Sequence, residues 1–242
     1  MGIKVFEFVR RASDVPVDVF QRRWRDEYAA AIAASPAVRG RLRRYELNPR
    51  LAADYERDRH ALEVVDAGFD GVDVRWLDDA AALEAFEREL ALDPARAPEL
   101  ARLRADLFAP VTLRVVTADP DPILDKPGRD RAEAKLLCIL RRNPALAPAT
   151  FHAHWKSHHG GLFQRLPGLR DPIIAYDQNH GIASEAAFDG VTEQWFADLA
   201  TFVESLRAPE NVTDVAPDVA YMLDPKGVHF LIAGRPTVVL GA

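Results

Sequence analysis

The stretch TFHAHWKSHHGGL, residues 150–162, holds four of the chain's seven histidines within eight positions. Histidine changes charge near neutral pH, so this stretch can supply a general base, a general acid or a metal ligand. His154 and His158 have the i,i+4 spacing of a two-histidine zinc pair. No glutamate stands between them in the metalloprotease position, and no third ligand is visible nearby, so no metal is expected. His152 and His154 then read as residues of a solvated helix face. On a wheel of about 100° per residue with Phe151 at 0°, Trp155, Leu162 and Leu166 form a buried stripe. His159 and His158 fall on its two borders, which makes His159 the candidate base.

Other chemistries are bounded by what the chain lacks. Cys138 is the single cysteine, which excludes an internal disulfide framework and a cysteine-cluster metal site. No G-x-G-x-x-G or P-loop occurs, and no cofactor is expected. The formal net charge of −6 argues against nucleic acid as a partner. No apolar run reaches the roughly 18–20 residues of a membrane span. The N-terminal MGIKVFEFVRR is too short and too charged for a signal peptide, so a cytoplasmic protein is expected.

The elements that must position His159 come from an internal repeat. Arg10-Arg11, Phe20, Trp24, Tyr45 and Asn48 match Arg141-Arg142, Phe151, Trp155, Tyr176 and Asn179, each pair 131 apart. Phe69-Asp70-Gly71-Val72 and Trp76 match Phe188-Asp189-Gly190-Val191 and Trp195 at 119 apart. The first copy therefore carries twelve extra residues, and the stretch around 49–68 is either a plain loop or a lid. Each copy reads as strand, helix, two strands, helix, strand, with a further helical stretch around 95–107 in the first. That order is the ferredoxin-like βαββαβ unit. The boundaries read 1–117 for the first repeat, 118–134 for a Pro- and Asp-rich linker, and 135–242 for the second. The first strands are apolar at both parities, so one face should carry helices and the other should meet a second sheet. The expected architecture is α+β, two ferredoxin-like repeats packed as a pseudo-dimeric α+β barrel around an apolar space.

Strand parity sorts the remaining candidates. Asp189, Val191, Glu193 and Trp195 share one face. Glu193 is the carboxylate expected to orient His159, with a satisfied structural pair or a solvated glutamate as the plain alternative. Tyr176 and Gln178 share a face on another strand and could steady a carbonyl or phenol. Asn179, Asp70 and Asp189 recur in both copies beside turn signals and read as turn or capping residues. Trp155 and Trp195 read first as core, and they border the candidate site with His158. Tyr28 stands where the second copy has His159, Leu47 where it has Gln178, and Val74 where it has Glu193. Catalytic polar groups are therefore expected only in the second copy, with the first a structural partner whose Tyr28 can donate a hydrogen bond.

FHAHWKSHHGGL resembles the EthD-family signature F-x-x-x-W-x-x-x-H followed by a small and an apolar residue. Tyr176-Asp177-Gln178-Asn179 is similar to that family's Tyr-x-Gln-Asn strand, and Phe188–Trp195 to its aromatic-Asp-Gly-Val-x-Glu-x-Trp strand. The resemblance covers 135–240 and, more weakly, 3–117. It implies the dimeric α+β barrel fold, here made by fusing two copies. Its relatives include cofactor-free cyclases, dehydratases and decarboxylases, and also heme-linked and oxidative proteins. The leading expectation is a cofactor-independent lyase or cyclase acting on a small hydrophobic aromatic or polyketide-like carbonyl compound. His159 would be its base, with Glu193 and Tyr176 assisting. A non-catalytic binding protein of a degradation pathway and an EthD-type oxidoreductase are the alternatives. The pseudo-dimer can also associate further.

Overall fold

The computed structural model describes residues 2–56, 68–110, 112–182 and 187–241. Ten strands run in chain order: β1 Ile3–Val9, β2 Leu42–Pro49, β3 Gly71–Leu77, β4 Leu113–Ala118, β5 Asp121–Asp125, β6 Ala134–Arg142, β7 Ile173–His180, β8 Gly190–Phe196, β9 Leu223–Ala233 and β10 Thr237–Leu240. They divide between two compact units, one of residues 1–50, 68–114 and 236–242, the other of residues 51–67 and 115–235. The possible lid lies mostly outside the described residues.

The first unit has a five-stranded sheet of order β10-β2-β3-β1-β4, and the second a sheet of order β5-β7-β8-β6-β9. Removing β10 and β5 leaves the ferredoxin-like order in each unit. The stretch 118–134 does more than link, since β5 pairs antiparallel with β7 at the sheet edge. The helix Arg96–Leu107 has a counterpart in the second unit, where a π turn, Asn211–Val215, runs into the helix Ala216–Met222. It is therefore part of the repeat and no addition to it.

In the second unit strand parity sorts the sheet into two faces. Leu136, Cys138, Leu140 and Phe196 join the helix residues Phe151, Trp155, Phe163 and Met222 in the main apolar core. Lys135, Glu193 and Trp195 lie on the opposite face, where Lys135 pairs with Glu193 and stands over the Trp195 ring.

Two repeated motifs hold the first helix of each unit to its sheet. A Cβ at Gly190 would lie 2.6 Å from the Trp155 ring, and one at Gly71 would lie 2.4 Å from the Trp24 ring. Neither glycine has positive φ. Close approach of the tryptophan, and not a turn, requires glycine here. The aspartates before them are clasps: Asp189 Oδ2 accepts the Arg142 backbone N–H at 2.8 Å, and Asp70 Oδ2 accepts that of Arg11 at 2.8 Å. The expected turn role gives way to a tie between neighbouring strands. Gly190→Ala should cost about 1–3 kcal/mol of stability by overpacking. Denaturant unfolding checks this, and an unchanged midpoint would contradict the contact.

His152 and His180 face each other with Nδ1 atoms 2.9 Å apart, and the Trp155 ring lies 4.4 Å from that of His180. One Nδ1 must donate and the other accept, so the two rings cannot both be charged. Burial, followed by the neighbouring His152, pushes His180 down to about 4. The unfolded chain then binds a proton that the fold refuses, and His180 removes stability as pH falls from about 6.5 to about 4, by up to about 3 kcal/mol. Asp73 in the first unit, raised to about 6 by burial, acts in the opposite sense over nearly the same range. The test is therefore a difference: His180→Phe should gain stability relative to the parent at pH 4.5 and not at pH 7.5. Equal gains at both pH values would refute this account.

Candidate functional site

The helix that begins at Pro148 changes its winding where the chemistry lies. Pro148–His154 is α-helical, Trp155–His159 is a π turn, and Gly160–Arg165 is α-helical again. The Gly160 N–H bonds to the Trp155 carbonyl five residues back. The same carbonyl accepts a second bond, at 2.8 Å, from Gln178 Nε2. Gly160 permits this approach, because a Cβ there would lie 3.0 Å from Ile123 and 3.2 Å from Gln178 Nε2. A π turn holds more residues than an α turn, so it resets the phase of the side chains after it. Trp155 stays on the sheet while His159 comes to line a cavity.

That cavity, of about 180 Å³, lies in the second unit between the sheet and the helices. Its wall is mostly apolar: Leu136, Leu140, Phe163, Phe196, Phe202 and Met222 are among its residues. A few polar groups converge on it, namely His159, Thr192, Gln194, Ser205 and Asn211. Cys138 also lines it, but burial pushes its thiol well up, so it stays protonated and is a poor nucleophile.

His159 is buried, and its Nδ1 lies 2.7 Å from Oδ2 of Asp218. His154 Nε2 approaches Oδ1 of the same carboxylate at 2.5 Å. Burial pushes Asp218 upward, but hydrogen bonds from His159 and His154 outweigh it and hold the carboxyl below its usual range. Asp218 is therefore ionised at neutral pH. An ionised carboxylate accepts, so Nδ1 of His159 carries a proton, and in the neutral ring the lone pair is then on Nε2.

The partner expected for His159 was Glu193, and the structure replaces it. Thr192 and Gln194 line the cavity, and Glu193 between them points to the opposite face of β8. There it meets Lys135 Nζ at 2.5 Å and accepts from Asn179 Nδ2 at 3.0 Å. Asn179, read as a turn residue, is a buried strand residue. Tyr176 is fully buried, its hydroxyl accepts from Gln178 Nε2 at 2.9 Å, and burial raises its pKa. Neither Tyr176 nor Gln178 lines the cavity; both help to seat the π turn. Trp155 packs on Phe151 as core, and Trp195 lies under Arg129 and Lys135 on the other face. His158 is half exposed and stacks on His154 at 4.7 Å. Tyr28 lines a different cavity, in the first unit. Of the eight expected site residues, His159 alone lines the cavity of the second unit.

Sequence reasoning missed Asp218, Gln194 and Thr192. One signal was available for Asp218: Ala97-Pro98-Glu99 and Ala216-Pro217-Asp218 stand 119 apart, the same offset as the F-D-G-V pair. The first copy diverges here, since Glu99 pairs with Arg96. A ligand atom from each of His154, His158 and Asp218 lies within 4.8 Å of the others, which is metal-compatible spacing. His154 and His158 both approach Oδ1 of Asp218, so a cation there would displace the His154 contact while Oδ2 stays with His159.

A family model described as EthD domain matches residues 143–226. No curated protein sequence matches the chain. Similar solved structures include an anthrone oxidase-like protein, 8% identical, with 100% of this chain and 95% of that one covered at a TM-score of 0.61. A protein provisionally named a monooxygenase, from Fusobacterium nucleatum, is 8% identical over 98% and 93% at 0.57. A point variant of chlorite dismutase from Candidatus Nitrospira defluvii is 12% identical over 96% and 90% at 0.53. Such identities show fold alone. No described helix is long and apolar enough to cross a membrane. The matched segment contains His159, Gln194 and Asp218, so the second unit is similar to the EthD domain over residues 143–226, and the chain has the fold of two ferredoxin-like repeats.

Proposed function

We propose that the second repeat is an enzyme that removes a proton from a small apolar carbonyl or phenolic compound, with His159 as general base. The observation that carries this is the His159–Asp218 contact at the wall of an apolar cavity. Asp218 fixes the tautomer that leaves Nε2 basic and stabilises the imidazolium once the proton has moved. Gln194 and Thr192 are placed to hold the substrate oxygen on which negative charge develops. The apolar wall selects an aromatic or polyketide-like body and excludes water that would solvate the anion. From the carbanion or phenolate, loss of hydroxide or attack on a second carbonyl of the same molecule gives a lyase or cyclase outcome.

The names of the fold neighbours favour a second outcome for the same anion. Molecular oxygen can oxidise a deprotonated methylene to a ketone. One oxygen atom enters the carbon, and the other leaves as water with the two hydrogens. Both readings share the deprotonation step, so that step is tested first. Small aromatic ketones with an acidic methylene, anthrone among them, are incubated with the protein in D2O. Deuterium should enter the methylene faster than in buffer, and His159→Gln should abolish the excess. Exchange that survives this substitution would end the proposal. Oxygen uptake in the same samples separates oxidation from cyclisation.

A further inference from the structure

The first repeat has its own cavity between sheet and helices, of about 320 Å³, at the place the repeat offsets map onto the cavity of the second. Tyr28 and Ile32 stand where the second repeat has His159 and Phe163, and Glu7 and Arg75 where it has Cys138 and Gln194. The first copy was expected to be a structural partner without catalytic polar groups; its cavity is nonetheless lined by charged side chains, so the two cavities share a position in the repeat and differ in chemistry.

We propose that this first cavity binds a small carboxylic acid with an aromatic or aliphatic body, independently of the activity assigned to the second repeat. Arg75 is buried at its inner end, with Nη2 at 2.9 Å from Asp73 and 3.2 Å from Glu7. Arg104 lies part-way out, with Nη2 at 3.0 Å from Glu7 and Nη1 donating to the Tyr28 hydroxyl at 3.3 Å. Nε of Arg75 and Oδ1 of Asp73 are buried without a hydrogen-bond partner. Unpaired buried polar groups are costly, and Arg75, whose side chain lines the cavity, keeps a guanidinium N–H that no neighbouring group accepts and that a bound carboxylate would satisfy. The lining carries three guanidinium groups, Arg75, Arg104 and Arg114, against two carboxylates, Glu7 and Glu87, with Asp73 pairing to Arg75; the excess of guanidinium groups in the lining favours an anion. Phe86, Leu90, Leu100 and Ile32 supply an apolar wall for the rest of the molecule. A neutral ligand would gain the wall and forgo the arginines; an inorganic anion would gain the arginines and forgo the wall.

The test is titration calorimetry of the full chain with 2-naphthoate, beside 2-naphthamide as the neutral match and sulfate as the bare anion. One site should take 2-naphthoate at least about tenfold more tightly than either comparison, as expected for a charge-assisted contact. Arg104→Met should weaken 2-naphthoate by about tenfold and leave 2-naphthamide unchanged. Ala101→Trp, at an exposed helix position on the cavity wall, should block both without disturbing the core. A crystal structure with 2-naphthoate locates the site even if Arg104→Met fails to fold. Equal affinity for acid and amide, binding indifferent to Ala101→Trp, or density in the second repeat alone would each overturn the proposal. His159→Gln should leave this binding intact, so its outcome is separate from that of the deprotonation test.

Discussion

Asp218→Asn should lower turnover by about 10²–10⁴-fold while KM stays within a few-fold, once a substrate is in hand. Asparagine fills the same space and can still meet Nδ1 of His159. Its amide, however, can donate where the carboxylate only accepts, which favours the tautomer that carries its proton on Nε2 and leaves no lone pair for the substrate. It also removes the charge that stabilises imidazolium in the transition state. Binding is largely apolar and should persist, so the loss appears in kcat. Asp218→Glu, which restores the charge on a longer arm, should recover part of it. The substitution also loosens His154, so unfolding is measured in parallel, and a drop in kcat that merely tracked loss of folded protein would argue for a structural role. Steady-state kinetics on folded protein decide the matter: an unchanged kcat in Asp218→Asn would remove the dyad from the mechanism.

Glu193→Ala should act on stability and spare chemistry. Glu193 is fully buried and its partner Lys135 nearly so. Removing the carboxylate leaves an ammonium in the interior over the Trp195 ring, and breaking such a pair costs about 3–5 kcal/mol. In a chain of this size that corresponds to a fall in Tm on the order of 10 °C. Lys135→Met should cost a similar amount for the converse reason. The double variant Lys135→Met/Glu193→Leu should be more stable than either single one, because an apolar pair leaves no buried charge. Thermal unfolding of the three variants checks the ordering. Folded Glu193→Ala should keep its deuterium-exchange activity; loss of exchange with unchanged Tm would return Glu193 to the chemistry.

The contrast between these two carboxylates shows what the sequence could tell. Period-two parity rightly grouped Glu193 with Trp195 on one face of β8, and the two constant offsets outlined both ferredoxin-like units. Parity cannot say which buried face a histidine on a separate helix will see. The salt-bridge partner was within reach, because Leu137 opposes Glu193 and Lys135 is two residues along the same strand and the same face. Asp218 was harder to find, lying 59 residues from His159 in a helix whose match to the first copy is three residues long. The edge strand β5 was hidden by its composition, Asp-Pro-Ile-Leu-Asp, which reads as linker because a proline is tolerated at a sheet edge and a sequence pattern cannot see the edge. The charged interior of the first repeat was overlooked because residues were compared only where the second copy was polar. Glu7 and Arg75 correspond by the repeat offsets to Cys138 and Gln194, and that comparison starts from the other copy.

The first helix of each repeat carries its π turn at the same place, Trp24–Ala29 in one and Trp155–His159 in the other. A wheel drawn at constant pitch therefore goes out of step in both copies, after the tryptophan and before the residue that enters the cavity. The tryptophan end is locked by a glycine on the sheet, so variation downstream of the wide turn can retune what the cavity sees without unseating the helix. Tyrosine at 28 and histidine at 159 are two settings of one dial, and a protein engineer could turn it further at either position with the scaffold left alone.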